Sequence, residues 1–65
     1  MHIMVNGKKE NISPHTIGDY ILSKGLNPKA LVVEYNGQVV AEAQWHRIFL
    51  NEGDQLELLS FVGGG

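Results

Sequence analysis

The stretch of this chain whose residue types could do chemistry is its glycine run, Gly63-Gly64-Gly65. Three glycines at a chain end form no core and close no turn, and each loses much conformational freedom when it is ordered. A frayed terminus or a remnant of expression explains them without any function. A reactive arm is the alternative, because residues without a Cβ can thread a narrow channel, and the four residues from Val62 span about 13–14 Å when extended. The reacting group would then be the Gly65 carboxylate.

The other side chains offer no second reactive constellation. His2, His15 and His46 lack the spacing of metal ligands, and the serines have neither a glycine elbow nor an evident partner base. No P-loop or dinucleotide-binding glycine motif is present. The chain has no cysteine, which excludes a thiol nucleophile and a thiolate metal site. We therefore expect no metal, no cofactor bound by the chain itself and no enzymatic activity of its own.

Length and charge narrow the class of protein. A chain of 65 residues forms one domain of marginal stability, and 43% hydrophobic residues is ordinary for a globular protein. The net charge is −2 with only five Lys and Arg residues, so no basic patch for nucleic acid is visible. No apolar run approaches the ~18–20 residues of a membrane span, and no signal peptide is recognisable. We expect a cytoplasmic protein that binds neither nucleic acid nor membrane.

Two hairpins are predicted to build most of the scaffold that positions the glycine run. Asn6-Gly7 and Asn36-Gly37 each favour a type I′ turn, because both central positions of that turn need a positive φ. A further strand is expected after the polar turn at 51–54. The strands predicted in this way span residues 2–5, 8–12, 30–35, 38–41 and 55–62.

One helix is predicted between the hairpins. Thr16 is a candidate N-cap with Asp19 in the capping-box position, and Gly25 is well placed to end the helix, which is expected from Ile17 to about Lys24. Gly18 in its first turn costs about 1 kcal/mol relative to alanine. The segment at 43–49 is expected to form a short helical turn and an irregular stretch, in which Trp45 serves packing.

These elements predict an α+β fold, with one helix packed on a single face of a mixed sheet of four to five strands. The first and last strands can then be parallel neighbours joined by everything between them, which is the β-grasp arrangement of ubiquitin. We expect a single domain over residues 1–62 and a flexible glycine tail over residues 63–65.

The last strand is predicted to present an apolar surface. Alternation buries Leu56 and Leu58 and leaves Leu59 and Phe61 on the face without a helix. Met4 of the first strand would point the same way. Exposed apolar clusters mark partner surfaces, unless the tail or a neighbouring segment covers them. The predicted partner-binding residues beside the root of the tail are Met4, Leu59, Phe61 and Val62.

A series of motifs follows in one order along essentially the whole chain: the opening Met-x-Ile-x-Val-Asn-Gly, segments 16–22, 32–37 and 39–40, Trp45, segments 50–57 and 61–63, and Gly64-Gly65. In these motifs the chain resembles the bacterial sulfur carriers of thiamine biosynthesis, the ThiS family. The order of the motifs, the short length and the final diglycine together make the resemblance specific.

The resemblance implies a ubiquitin-like β-grasp fold and a reaction at Gly65. An adenylyltransferase related to ubiquitin-activating enzymes would use ATP and magnesium to adenylate the carboxylate. A persulfide derived from a cysteine desulfurase would displace AMP and leave a thiocarboxylate, and thiazole synthase would accept the sulfur. The chain would thus be a protein substrate of its partners rather than an enzyme.

Other functions of the same tail stay open at this point. The chain could carry sulfur for molybdopterin or for another pathway, modify proteins through an isopeptide bond at Gly65, or be a β-grasp binding module with an inert tail. Deletion of Gly65 distinguishes the binding module from the sulfur carriers and the protein modifier, because only a binding module should keep its function after the deletion. Incubation with a lysine-bearing target distinguishes a protein modifier from a sulfur donor, because only the modifier would form an isopeptide bond with the target.

Overall fold

A computed structural model describes residues 1–13 and 15–61. Its strands are β1 His2–Val5, β2 Lys8–Asn11, β3 Leu31–Tyr35, β4 Gln38–Val40 and β5 Gln55–Ser60, and its helices are α1 Ile17–Ser23 and two 3₁₀ helices, Pro28–Ala30 and Glu42–Arg47. The strands form one sheet in the order β2-β1-β5-β3-β4. The predicted α+β class is confirmed. The predicted tail at 63–65, and its boundary after Val62, lie outside the described residues.

The sheet is mixed, because β1 runs parallel to β5 while the other neighbours are antiparallel. The last strand therefore lies in the middle of the sheet, between the first and third strands. This arrangement confirms the predicted pairing of the first and last strands. With one main helix on one face, it is the β-grasp fold.

Both predicted hairpin turns are present. Asn6 and Gly7 have φ values of 51° and 80°, and Asn36 and Gly37 have values of 49° and 89°. These positive values are those that a type I′ turn requires at its two central positions. The turns place Val5 opposite Lys8 and Tyr35 opposite Gln38, so each hairpin has the register that its Asn-Gly pair predicts.

The predicted capping box begins α1. The hydroxyl oxygen of Thr16 accepts a hydrogen bond from the Asp19 N–H at 3.0 Å, and Asp19 Oδ2 accepts one from the Thr16 N–H at 3.2 Å. The helix ends at Ser23, one residue before the predicted end. Gly25 follows with a φ of 68°, as expected of a glycine that terminates a helix.

The core lies between α1 and one face of the sheet. Trp45, from the second 3₁₀ helix, is buried and donates its indole N–H to the Val40 carbonyl at 3.2 Å, which confirms its predicted packing role. Buried on the same side are Ile3, Val5, Ile12, Ile17, Tyr20, Ile21, Leu31, Val33, Leu50 and Leu56. No helix of the described chain is both long and apolar enough to cross a bilayer.

The last strand is shorter than predicted. It ends at Ser60, whereas the prediction extended it to Val62. Ser60 pairs with Leu31, the first residue of β3. The preceding Ala30 belongs to a 3₁₀ helix, so no neighbouring strand is available beyond that point. One further bond of the same ladder forms, from the Phe61 N–H to the Ala30 carbonyl at 3.0 Å.

Candidate functional site

The root of the glycine tail is the end of β5. Leu59 pairs with Val32 in β3, and Phe61, the last described residue, is bonded to Ala30. The described part of the chain therefore ends on a central strand that is held at its end by the beginning of β3. Residues 62–65, which include the predicted site residues Val62, Gly63, Gly64 and Gly65, lie outside the described residues.

An apolar surface adjoins this root. Leu59 is 55% exposed and Phe61 is 49% exposed, and Val32, the partner of Leu59, is half-buried. By strand alternation these side chains point away from the core. We call Val32, Leu59 and Phe61 the tail-root patch. Exposed apolar side chains grouped at the end of one strand are typical of a protein-binding surface.

Met4 does not lie beside Leu59 and Phe61, so the predicted grouping of the three side chains is wrong, whereas a role of Met4 in partner binding stays a prediction. Met4 lies on the same face of the sheet but is half-buried and pairs with Gln55. Leu59 is four residues further along β5, or about 13 Å at the rise of an extended strand. The physical reason is the Asn6-Gly7 turn, which ends β1 and limits its parallel pairing to the beginning of β5.

Two carboxylates border the tail-root patch. Glu34 in β3 lies directly opposite Glu57 in β5, and Val39, 67% exposed, follows in β4. Within the described part of the chain, neither carboxylate takes part in an ion pair. Like charges directly opposite each other on neighbouring strands are destabilising. Sequence reasoning missed Val32 and Glu34, because only the register between β3 and β5 places them beside the last strand.

The turn that leads into β5 is fixed by one carboxylate. Asp54 Oδ2 accepts hydrogen bonds from the Tyr35 hydroxyl and the Asn51 N–H, both at 2.8 Å, and its Oδ1 accepts one from Asn36 Nδ2 at 3.3 Å. Burial raises the pKa of Tyr35, and the hydrogen bond to Asp54 and its negative charge raise it further. These contacts tie the start of the last strand to the end of β3, to the first residue of the β3–β4 turn and to Asn51.

A second polar cluster joins α1 to the edge of the sheet. The Tyr20 hydroxyl donates to Glu10 Oε1 at 3.0 Å, and Lys24 Nζ lies 3.1 Å from the same oxygen. Burial raises the pKa of Tyr20, with smaller contributions from the hydrogen bond and the charge of Glu10. This cluster lies outside the tail-root patch and stabilises the scaffold.

The histidines are not brought together. His2 faces Glu52, with Nδ1 and Oε2 3.7 Å apart, and the His46 ring packs over Gly18. Within residues 1–13 and 15–61, no three His, Cys, Asp or Glu side chains are grouped as metal ligands, and the surface of the same residues has no pocket. The described site is therefore an exposed apolar surface on a strand that continues into the glycine run.

The comparisons with known proteins agree with this geometry. The crystal structure of the thiamine biosynthesis protein ThiS from Geobacter metallireducens superposes with a TM-score of 0.85 at 26% identity and covers 100% of both chains. The sulfur carrier protein ThiS of Bacillus subtilis is 34% identical over 65 residues, which are 97% of this chain and 98% of that protein. The fold and these matches together define a ubiquitin-like protein of the sulfur-carrier type.

The family model of the ThiS family matches residues 3–65. The chain belongs to the ThiS family, the sulfur carriers of thiamine biosynthesis. A thiazole synthase of Paramagnetospirillum magneticum is also similar, with 30% identity over 66 residues. The match covers 100% of this chain but only 20% of that protein, so the chain spans about a fifth of the length of that relative.

Proposed function

We propose that the chain carries sulfur for thiazole formation as a thiocarboxylate of Gly65. The observation that carries the proposal is the family match, which runs from residue 3 through residue 65 and so includes the diglycine. A carboxylate is resonance-stabilised and is a poor electrophile at neutral pH. It therefore needs activation as a mixed anhydride with phosphate before sulfur can replace an oxygen.

The proposed reaction takes place on partner enzymes. An adenylyltransferase related to ubiquitin-activating enzymes uses ATP and magnesium to form the Gly65 acyl adenylate and releases pyrophosphate. The terminal sulfur of a persulfide, supplied by a cysteine desulfurase, displaces AMP. Reductive cleavage of the resulting sulfur–sulfur bond by a thiol leaves the thiocarboxylate. In this scheme the chain is a substrate that acts in the cytoplasm, and its partners provide the catalysis.

Thiazole synthase is the proposed acceptor of the sulfur. Its support is the Paramagnetospirillum relative, a protein named thiazole synthase in which a segment matches this entire chain. Two modules in one polypeptide have a high effective concentration for each other, so a fused pair is favoured when the separate modules must meet. We infer that the present chain makes the corresponding encounter with a thiazole synthase.

The tail-root patch is the proposed docking surface for these partners. Leu59→Asp and Phe61→Asp should weaken binding to the adenylyltransferase and to thiazole synthase at least about tenfold, because each places a charge in a desolvated contact. Isothermal titration calorimetry measures this loss, and far-UV circular dichroism checks that the fold is kept. Leu22→Asp is the matched control, because Leu22 is 68% exposed on α1, on the other side of the molecule.

Deletion of residues 63–65 separates docking from chemistry in the same experiment, because deletion of Gly65 alone would leave a carboxylate on a second diglycine, Gly63-Gly64. The shortened chain should bind both partners with its affinity retained, because the patch is intact, yet release no pyrophosphate when ATP, magnesium and the adenylyltransferase are supplied. Full binding by both aspartate variants would exclude the patch as the docking surface. Pyrophosphate release that persists without residues 63–65 would contradict the proposed reaction.

A further inference from the structure

The asparagine of the first hairpin turn makes an unexpected contact with the last strand. The Asn6 N–H donates to the Leu56 carbonyl at 2.9 Å, and the Leu58 N–H donates to the side-chain oxygen Asn6 Oδ1 at 2.7 Å. In a regular parallel ladder, the residue that donates to Leu56 accepts from Leu58 through its own carbonyl oxygen. Asn6 has a φ of 51° and turns its main chain away, so its side-chain oxygen takes the place of that carbonyl.

The second hairpin repeats the arrangement on the opposite side of β5. The Asn36 N–H donates to the Gln55 carbonyl at 2.9 Å, and the Gln55 N–H donates to Asn36 Oδ1 at 2.8 Å. An antiparallel pair normally exchanges both bonds through main-chain groups. Here too the φ of 49° redirects the main chain, and the side chain replaces the carbonyl. Each asparagine side chain thus adds one hydrogen bond to the strand pairing just beyond the last residue of its own strand.

The two rungs differ in their place along β5. Asn36 holds Gln55, where the strand begins, whereas Asn6 holds Leu58, three residues nearer to the tail. Past Asn6, the side of β5 that faces β1 has no strand neighbour among the described residues, since β1 ends at Val5. Among the described residues, the hydrogen bond from Leu58 to Asn6 is therefore the last one on that side of β5 before Leu59.

We propose that Asn6 is a positioning residue for the reactive tail, acting through Leu58 to fix the end of β5 and the tail-root patch. The turn alone does not require an asparagine at this position, because glycine and aspartate also occupy it in type I′ turns. The side-chain oxygen is the additional feature. The effect on partner enzymes rests on the proposed sulfur-carrier function, whereas the effect on β5 itself does not.

Three variants test this role. Asn6→Gly keeps the turn and removes the oxygen, Asn6→Asp keeps both the turn and an acceptor, and Asn36→Gly is the matched control with the same type of loss at the other end of β5. Amide hydrogen exchange followed by NMR should show the Leu58 N–H exchanging about 5- to 10-fold faster in Asn6→Gly than in Asn36→Gly. Asn6→Asp should restore the slow exchange.

Pyrophosphate release by the adenylyltransferase provides the second readout. Asn6→Gly should lower kcat/KM about 3- to 10-fold, Asn36→Gly should stay within about twofold of the unsubstituted chain, and Asn6→Asp should recover the loss. Equal losses in the two glycine variants, or unchanged exchange at Leu58, would overturn the proposal. If the unsubstituted chain releases no pyrophosphate, the sulfur-carrier function fails, and the exchange rates alone decide the role of Asn6.

Discussion

Gly18→Ala is the substitution whose effect the structure predicts most specifically. Gly18 is buried in the first turn of α1, beneath the ring of His46 from the second 3₁₀ helix. A Cβ added at position 18 would lie 2.6 Å from His46 Nδ1 and 2.8 Å from Cε1. Nonbonded atoms are most favourable at about 3.5–4.0 Å, so the ring has to move by roughly 1 Å.

Two opposing terms set the size of the effect. Alanine in place of glycine in a helix is favourable by up to about 1 kcal/mol, whereas displacement of the exposed His46 ring from its rotamer costs about 0.5–1.5 kcal/mol. We expect these terms to offset each other, so that Gly18→Ala changes the free energy of unfolding by less than about 0.5 kcal/mol when His46 is present. In the His46→Ala background, where the ring is absent, the same substitution should raise it by about 0.5–1 kcal/mol.

A double-mutant cycle measured by urea denaturation tests this reasoning. The original chain, both single variants and the double variant together give the coupling energy between positions 18 and 46, which should be about 0.5–1.5 kcal/mol. For a domain of this size, 1 kcal/mol corresponds to about 4–8 °C in Tm, well within the precision of thermal unfolding. A coupling energy below about 0.3 kcal/mol would refute the steric explanation for Gly18.

Two further predictions concern ionisable groups. Because the pKa values of Tyr20 and Tyr35 are raised in the folded state, the stability they contribute is complete below the unfolded tyrosine pKa of about 10 and is lost as the pH rises above it. Tyr20 alone should lower the free energy of unfolding by about 1.4 kcal/mol per pH unit above pH 10. In Tyr20→Phe, urea denaturation at a series of pH values should therefore show a free energy of unfolding that falls less steeply with pH. An equally steep fall would contradict the raised pKa of Tyr20. Because Glu57 lies opposite Glu34, Glu57→Gln should stabilise the isolated chain by about 0.2–1 kcal/mol at low salt, whereas a loss of stability would show that the pair is not repulsive.

Local signals in the sequence predicted the turns and the helix, because each depends on a few adjacent residues. Asn6-Gly7 and Asn36-Gly37 need positive φ values, and the Thr16–Asp19 capping box needs only one turn of helix. The parallel neighbours β1 and β5 also followed from the element order. The packing role predicted for Trp45 is confirmed by its burial.

Features that depend on the register between distant strands could not be predicted from the sequence. Alternation placed Met4 on the correct face, but only the pairing of Met4 with Gln55 shows that it lies far from Leu59. The bond between Asn6 and Leu58 joins residues 52 positions apart, and the ring above Gly18 comes from another element. A sequence pattern gives the face of a strand and not its longitudinal position, which pairing across the sheet determines.

Intact-mass spectrometry shows whether Gly65 carries sulfur. The chain is incubated with the adenylyltransferase, ATP, magnesium, a persulfide source and a thiol reductant, and a chain lacking residues 63–65 serves as the control. We expect a product heavier by one sulfur atom minus one oxygen atom, sensitive to alkylation and localised to Gly65. A terminus that stays a plain carboxylate, under conditions in which an established ThiS protein is converted, would contradict this expectation.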